Sequence, residues 1–279
     1  MSLTRKIDFA VVFSVSHANP NGDPLNGNRP RTTYEGYGEV SDVCLKRKLR
    51  DRLQEAGETI FVQSDSRRKD EFKTLQERAD ATLKKIKDPD AIVKIACETW
   101  FDVRAFGQLF TFESNKKGKK GQTDEDEGQN SPTLGIRGPV TLQSAFSLTP
   151  VEVASNQITK SVSFSGGKRS DTMGMKHRVD SGVYCFFGAM SPQLAEKTGF
   201  SDEDAARIKA LLPKLFENDA SSARPDGSMR VLKVVWWEHD CANGRCSSAR
   251  VHDSLKVNDD GTIEVAPLEG IKVETMEGF

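Results

Sequence analysis

IDFAVVFSVSHANPNGDPLNGNRPR, residues 7–31, joins two stretches of opposite character. Over residues 7–16, Ile7, Phe9, Val11, Phe13 and Val15 share one face, and Asp8, Ala10, Val12, Ser14 and Ser16 share the other. A period of two predicts a β-strand with one face in a core and a second face that is only partly apolar. Residues 17–31 then hold six Asn or Gly and three Pro in fifteen positions, a composition that favours neither helix nor strand. From Ser41 the period changes to that of a helix: Leu45, Leu49 and Leu53 form a stripe, Ser41 is placed to cap its start and Gly57 to end it. Strand, long loop, helix is the first unit.

Working outward, residues 64–88 read as a thinner amphipathic helix with Phe72, Leu75, Ala79, Leu83 and Ile86 as its stripe, stopped by Pro89. Residues 91–110 are apolar enough to be buried, as helix and then turn. Residues 114–132 are Gly-rich, first basic and then acidic, and predict a mobile loop. Residues 140–148 alternate as a strand with Val140, Leu142, Ser144, Phe146 and Leu148 on one face. Residues 155–178 combine β-formers with a Gly166-Gly167 turn signal and few core residues, which predicts a hairpin-like protrusion. Residues 181–190 form a central strand, apolar on both faces. A helix capped by Ser201 follows, with Ala205, Ile208, Leu212 and Leu215 inward and a bend at Pro213. Residues 230–238 are another strand, and the tail offers short strands. Without the insertions at 60–135 and 155–178 the order is β-α-β-β-α-β, which predicts an α+β, ferredoxin-like or RNA-recognition-motif-like core.

Of the 279 residues, 36% are hydrophobic and 29% charged, and the formal net charge is −1. The whole chain is therefore not basic, and any polyanion must be met by locally segregated cations. No apolar run is long enough to span a bilayer. The N-terminus alternates and keeps Asp8, so it reads as a strand rather than a signal peptide. An odd number of cysteines, five, mostly in apolar contexts, fits a reducing cytoplasm.

Two segments gather cations. Lys46, Arg47 and Arg50 fall on one side of the helix that begins at Ser41, Arg29 and Arg31 lie just before it, and the helix N-terminus presents free backbone N–H groups to the same loop. Together they form a candidate phosphate cradle; a solvated basic face beside an irregular loop is the alternative. The protrusion carries Lys160, Lys168, Arg169, Lys176, His177 and Arg178 with Met173 and Met175 between them. Cations track phosphates and Met wedges between bases; a basic hairpin packed on a neighbouring domain is the alternative. His17 and Asp23 share the loop as a candidate acid–base pair, though Asp in an N-G-D-P setting commonly builds a turn. His239, Cys241, Cys246 and His252 are the residue types zinc takes, at a spacing unlike the common Cys pairs.

These motifs, in their order, resemble the backbone subunit of CRISPR Cascade surveillance complexes, and most closely the type I-C branch. The resemblance rests on residues 17–24 (HANPNGDP), 28–31 (NRPR) and 41–50 (SDVCLKRKLR). It continues through 102–107 (DVRAFG), 138–140 (GPV) with Gln143-Ser144, 172–177 (TMGMKH) and 238–240 (EHD), covering about residues 5 to 257. It implies a modified RNA-recognition-motif palm (1–59, 136–154 and 179–279), a helical fingers insertion (60–135) and a β-hairpin thumb (155–178). Copies stack head to tail along one guide RNA, the crRNA, and each thumb displaces a base at regular intervals. By the same resemblance Asn21, Asn28, Arg29, Arg31, Ser41, Lys46, Arg47 and Arg50 hold the guide backbone, with Lys160, Met173, Met175, Lys176, His177 and Arg178 on the thumb. Met173 and Met175 are its base wedges, Met175 standing where the family carries a basic residue. Lys116, Lys117, Lys119 and Lys120 would touch target DNA. The implied partners are crRNA, target DNA, further copies of the chain, the subunit that binds the crRNA 5′ handle, the large and small subunits, and a recruited nuclease-helicase. No cofactor, metal or membrane is implied. Type III relatives cut target RNA with a loop Asp, which makes a ribonuclease using Asp23 the competing reading. Self-assembly without nucleic acid is a third.

Overall fold

The computed structural model describes residues 1–111, 133–159 and 173–279. The 114–132 loop, the Gly166-Gly167 turn, Lys116, Lys117, Lys119, Lys120, Lys160, Lys168 and Arg169 lie outside the described residues.

One large sheet organises the chain. Its strands are β1 (Ile7–Ala18), β2 (Tyr37–Val40), β3 (Val140–Leu142), β4 (Ala145–Pro150), β5 (Val153–Thr159), β6 (Met173–Met190), β7 (Met229–His239) and β8 (Ile271–Glu277). The order is β8-β7-β1-β6-β4-β2, with β3 and β5 also paired to β6, and every pairing is antiparallel. The alternation of β1 predicts its two environments. Ile7, Phe9, Val11, Phe13 and Val15 enter one apolar cluster with Leu45, Leu49 and Leu53 of α1 (Asp42–Glu55) and with Ala205 and Ile208 of α6 (Asp202–Leu211). Each such side chain contributes about 1.5–3 kcal/mol by leaving water.

Between these helices in sequence stand α2 (Leu75–Leu83), α3 (Pro89–Thr99), α4 (Phe101–Phe106) and α5 (Pro192–Thr198). The segment from Phe61 to Ile136 has its own apolar cluster, built on Phe61, Leu83, Ile92, Trp100 and Phe110. A strand at Gly107–Thr111 pairs there with one at Thr133–Arg137.

The predicted caps form. Ser41 Oγ accepts from the Cys44 N–H, and Gly57 follows α1 with φ +96°. Ser201 and Asp204 make a reciprocal capping box on α6, and a 3-10 turn runs through Pro213 where the bend is expected.

Four expectations are corrected. The helix expected over 64–88 is confined to α2, because Thr74 caps it and Asp70, paired to Arg78 at 2.6 Å, holds the preceding residues in turns. Pro89 does not merely stop that helix; it opens α3, with Asp88 as cap. The strand over 140–148 breaks at Gln143-Ser144, where the Gln143 N–H donates to the Phe187 carbonyl. The break shifts the phase, so Ala145 and Ser147 are buried and Phe146 is exposed. Finally, the polar residues of α1 are not all on the side away from the leucines: Lys48, Asp51, Arg52 and Gln54 are buried.

The second face of the sheet is covered by the C-terminal segment. Ala10, Val235 and Trp237 pack there against Val251 of α7 (Ser248–His252), Leu255 and Ile271. Asp8 is fully buried in this layer. His239 Nε2 lies 2.9 Å from one of its carboxylate oxygens and His252 Nε2 lies 3.5 Å from the other, with Lys6 Nζ also at 3.5 Å. Burial alone would raise the Asp8 pKa; the contacts with His252, Ser248 and His239 and the charge of Lys6 outweigh it and hold the group at about 2.

Candidate nucleic-acid interface

The loop after β1 is built, not slack. Gly22–Asp23 pairs with Arg29–Pro30 as a two-residue antiparallel ladder. Between them Asp23 Oδ1 accepts from the Leu25 N–H at 3.2 Å and caps a short 3-10 turn over Pro24–Asn26. The chain then passes through Gly27 and Asn28 at φ 58° and 60°, the left-handed conformation that Gly and Asn tolerate best. Gly22 must be small here, because a Cβ on it would sit 2.0 Å from Asn28 Oδ1. Asn19 Nδ2 donates to the Asn28 carbonyl at 2.7 Å, and Asn21 Oδ1 accepts from both the N–H and the hydroxyl of Ser41 at 2.9 Å. Asn21 and Ser41 therefore tie the loop to the start of α1.

This framework delivers Arg29 to the base of the protrusion. Its Nη1 donates to Ser155 Oγ at 2.9 Å, across 126 positions of sequence. Strand β5 pairs with β6 from Met173↔Thr159 to Val179↔Val153, which sets Ser155 opposite His177. Their side chains meet, Ser155 Oγ to His177 Nδ1, at 2.9 Å. Cross-strand partners share a face, so Met173, Met175 and His177 line the same side as Thr159, Gln157 and Ser155. Met173 and Met175 are 64% and 55% exposed on that side. Lys176 and Arg178 point to the other side, and Arg178 Nε donates to Asp180 at 3.1 Å.

The remaining cations divide. Arg31 faces Asp23 at 3.5 Å, and Lys46 pairs with Asp42 at 2.9 Å one turn earlier on α1. Both stay partly exposed beside the loop. Arg47 and Arg50 instead turn toward the insertion. Arg47 donates to the Val62 carbonyl and lies 3.8 Å from Asp51, and burial pulls its pKa below the ordinary value. Arg50 Nε donates to Asp102 at 2.9 Å, and its guanidinium lies over the Phe106 ring at 5.1 Å. The helical spacing predicts their clustering but not their partial burial, since nothing in α1 shows that residues 61, 62 and 102 will cover that side.

Ser155, the residue at which loop and protrusion meet, is absent from the sequence-derived site. Its only signal is its place at the start of an arm whose register must be known before its partner can be named.

The acid–base and zinc alternatives do not assemble. His17 Nδ1 pairs with Ser16 Oγ at 3.0 Å, while Asp23 is engaged with Leu25 and Arg31. His239 has both ring nitrogens committed, Nε2 to Asp8 and Nδ1 accepting from the Arg245 N–H at 3.0 Å. Among the described residues, no group of three His, Cys, Asp or Glu side chains is placed to hold a metal, and no helix is long and apolar enough to cross a membrane.

The sequence model of the family described as CRISPR-associated protein Cas7 matches residues 5–275. The chain belongs to the Cas7 family. It is similar to the CRISPR-associated protein Cas7 of Haloferax volcanii, 27% identical over 295 residues, a match that spans 99% of this chain and 82% of that protein. It also aligns with a chain of a pre-nicking CRISPR RNA-guided surveillance complex at 17% identity and a TM-score of 0.47, covering 83% of this chain and 75% of that one. A chain of a second CRISPR RNA-guided surveillance complex aligns at 15% identity and a TM-score of 0.45, covering 92% and 77%. In this Cas7-family chain the loop–protrusion junction brings together one candidate RNA contact from each cation-bearing segment, Arg29 and His177.

Proposed function

We propose that this chain is a non-catalytic, crRNA-binding backbone subunit of a CRISPR surveillance complex of the type I-C branch, acting in the cytoplasm. Copies dock head to tail along the guide and present it for pairing with target DNA. They do so beside a subunit holding the crRNA 5′ handle, large and small subunits and a recruited nuclease-helicase. The sheet strands β1, β3 with β4, β6 and β7, with α1 and α6, serve as an RNA-recognition-motif-like palm. The Phe61–Ile136 region serves as fingers, and β5 with the start of β6 as the stem of the thumb.

The observation that carries this reading is the meeting of Arg29 with His177 at Ser155, in a chain of the Cas7 family. A cation from an Asn/Gly-built loop and a ring from a Met-bearing hairpin suit a sugar-phosphate backbone with bases beside it, and contacts to the backbone serve any guide sequence. Arg29, Arg31, Lys46 and His177 are the proposed phosphate contacts on this face, with Met173 and Met175 against the bases and Lys176 a contact from the opposite side of the hairpin. Arg47 and Arg50 position the fingers. The test is the 260/280 nm absorbance ratio and size-exclusion profile of the purified protein before and after RNase. A high ratio in a large species that shrinks on RNase supports the reading, and an Arg29→Ala, His177→Ala double variant should lose bound RNA. An RNase-resistant large oligomer with a clean protein ratio overturns it.

A further inference from the structure

We propose that Ser155 is a positioning residue for one phosphodiester, its hydroxyl holding Arg29 and His177 in apposition so that both present their remaining N–H groups to the same phosphate. The inference rests on the RNA-binding reading above and deepens it. Arg29 and His177 belong to segments with no sequence continuity, and the atom within hydrogen-bond distance of both is Ser155 Oγ, at 2.9 Å from each. A hydroxyl suits this position because it accepts and donates at once. It accepts from Arg29 Nη1 and can donate its own proton to His177 Nδ1. In the tautomer that this pairing requires, the imidazole proton sits on Nε2, the nitrogen left for a ligand. The guanidinium uses one of its five N–H groups on Ser155 and keeps the rest of its fork for an anion.

Both partners are held from behind. Arg29 is fixed through the Asp23↔Arg29 ladder and the Asn19 bond to the preceding carbonyl. His177 is fixed by strand pairing on its opposed residue, where side chains reach each other without backbone adjustment. The exposed sulfur-bearing side chains of Met175 and Met173 continue along the same face, which gives the phosphate seat an adjoining apolar surface for bases. Ser155 itself carries no charge. Its removal should therefore loosen the seat without changing how many counterions RNA binding releases.

The experiment measures the affinity of RNase-treated, repurified full-length protein for a fluorescein-labelled single-stranded RNA across a salt series. Ser155→Ala should weaken binding about threefold to tenfold, the worth of one hydrogen bond, at an unchanged log–log salt slope. Arg29→Ala should weaken it and lower the slope by about one. Ser155→Thr, which keeps the hydroxyl, should restore wild-type affinity, and thermal unfolding of all variants guards against a folding effect. If Ser155→Ala binds like wild type while Arg29→Ala and His177→Ala are weakened, the positioning role is overturned and the RNA interface stands. If none of the three variants is weakened, the interface is misplaced and the positioning role falls with it.

Discussion

Arg50 and Asp102 lock the first helix to the insertion. Asp102 is 1% exposed and accepts from Arg50 Nε at 2.9 Å, from the Phe61 N–H at 2.7 Å and from the Val62 N–H at 3.0 Å. Asp102→Ala would leave a guanidinium and two backbone donors without their acceptor. Breaking one side of a buried pair costs about 3–5 kcal/mol. Urea unfolding should show a loss of that order, and Arg50→Ala a smaller one. An Arg50→Ala protein with unchanged unfolding but lost RNA would mean that Arg50 reaches RNA after all.

The Asp8 cluster predicts an acid-sensitive layer. The folded pKa of about 2 lies below the ordinary 3.8, so the carboxylate contributes stability above pH 4 that is lost as pH falls toward 2. The shift corresponds to about 2 kcal/mol. Unfolding free energies of wild type and Asp8→Asn, compared from pH 6 to pH 2, should differ most at the upper end and converge at the lower. A difference that stays constant with pH would show that Asp8 acts through packing alone.

Much of this architecture is legible because local chemistry and tertiary packing agree. The alternation of Ile7 to Val15, the Leu45-Leu49-Leu53 stripe and the Ser41 and Ser201 caps each specify an element and its inward face, and the structure uses them so. What could not be read depends on partners distant in sequence. Arg47 and Arg50 carry no mark of the residues around Val62 and Asp102 that cover them. Asp8 looks like a polar interruption until His239 and His252 arrive from the C-terminal layer. The register of the protrusion is the sharpest case. Nothing in the sequence of residues 155–178 fixes which residue lies opposite Ser155; the ladder sets it opposite His177. One position of slip exchanges the two faces of a hairpin, and with them the identity of the residues that meet Arg29.

Gly188 makes room for an aromatic ring. It stands opposite Phe9 in the β1–β6 ladder, and a Cβ on it would lie 2.3 Å from the tip of the Phe9 ring, which stacks on Trp236 at 5.7 Å. Gly188→Ala should destabilise by about 1–3 kcal/mol through overpacking. Phe9→Leu in the same chain should cost less than the sum of the two single changes, because the smaller side chain removes the clash. Strict additivity in thermal or urea unfolding would show that the strain lies elsewhere.

Asp23 distinguishes a binding loop from a cleaving one. Its carboxylate caps the Pro24–Asn26 turn and faces Arg31, the partners of a group that shapes a loop. Asn can supply the same cap, whereas Ala cannot, at a cost of about 1 kcal/mol. Asp23→Asn should therefore retain RNA like wild type, and Asp23→Ala should retain less as the ladder that presents Arg29 loosens. Wild-type protein assembled on guide RNA, incubated with complementary RNA and a divalent cation, should leave that RNA intact. Regularly spaced fragments that vanish in Asp23→Asn would reverse the assignment, since Asn preserves the turn and removes only the charge a metal-assisted cleavage needs.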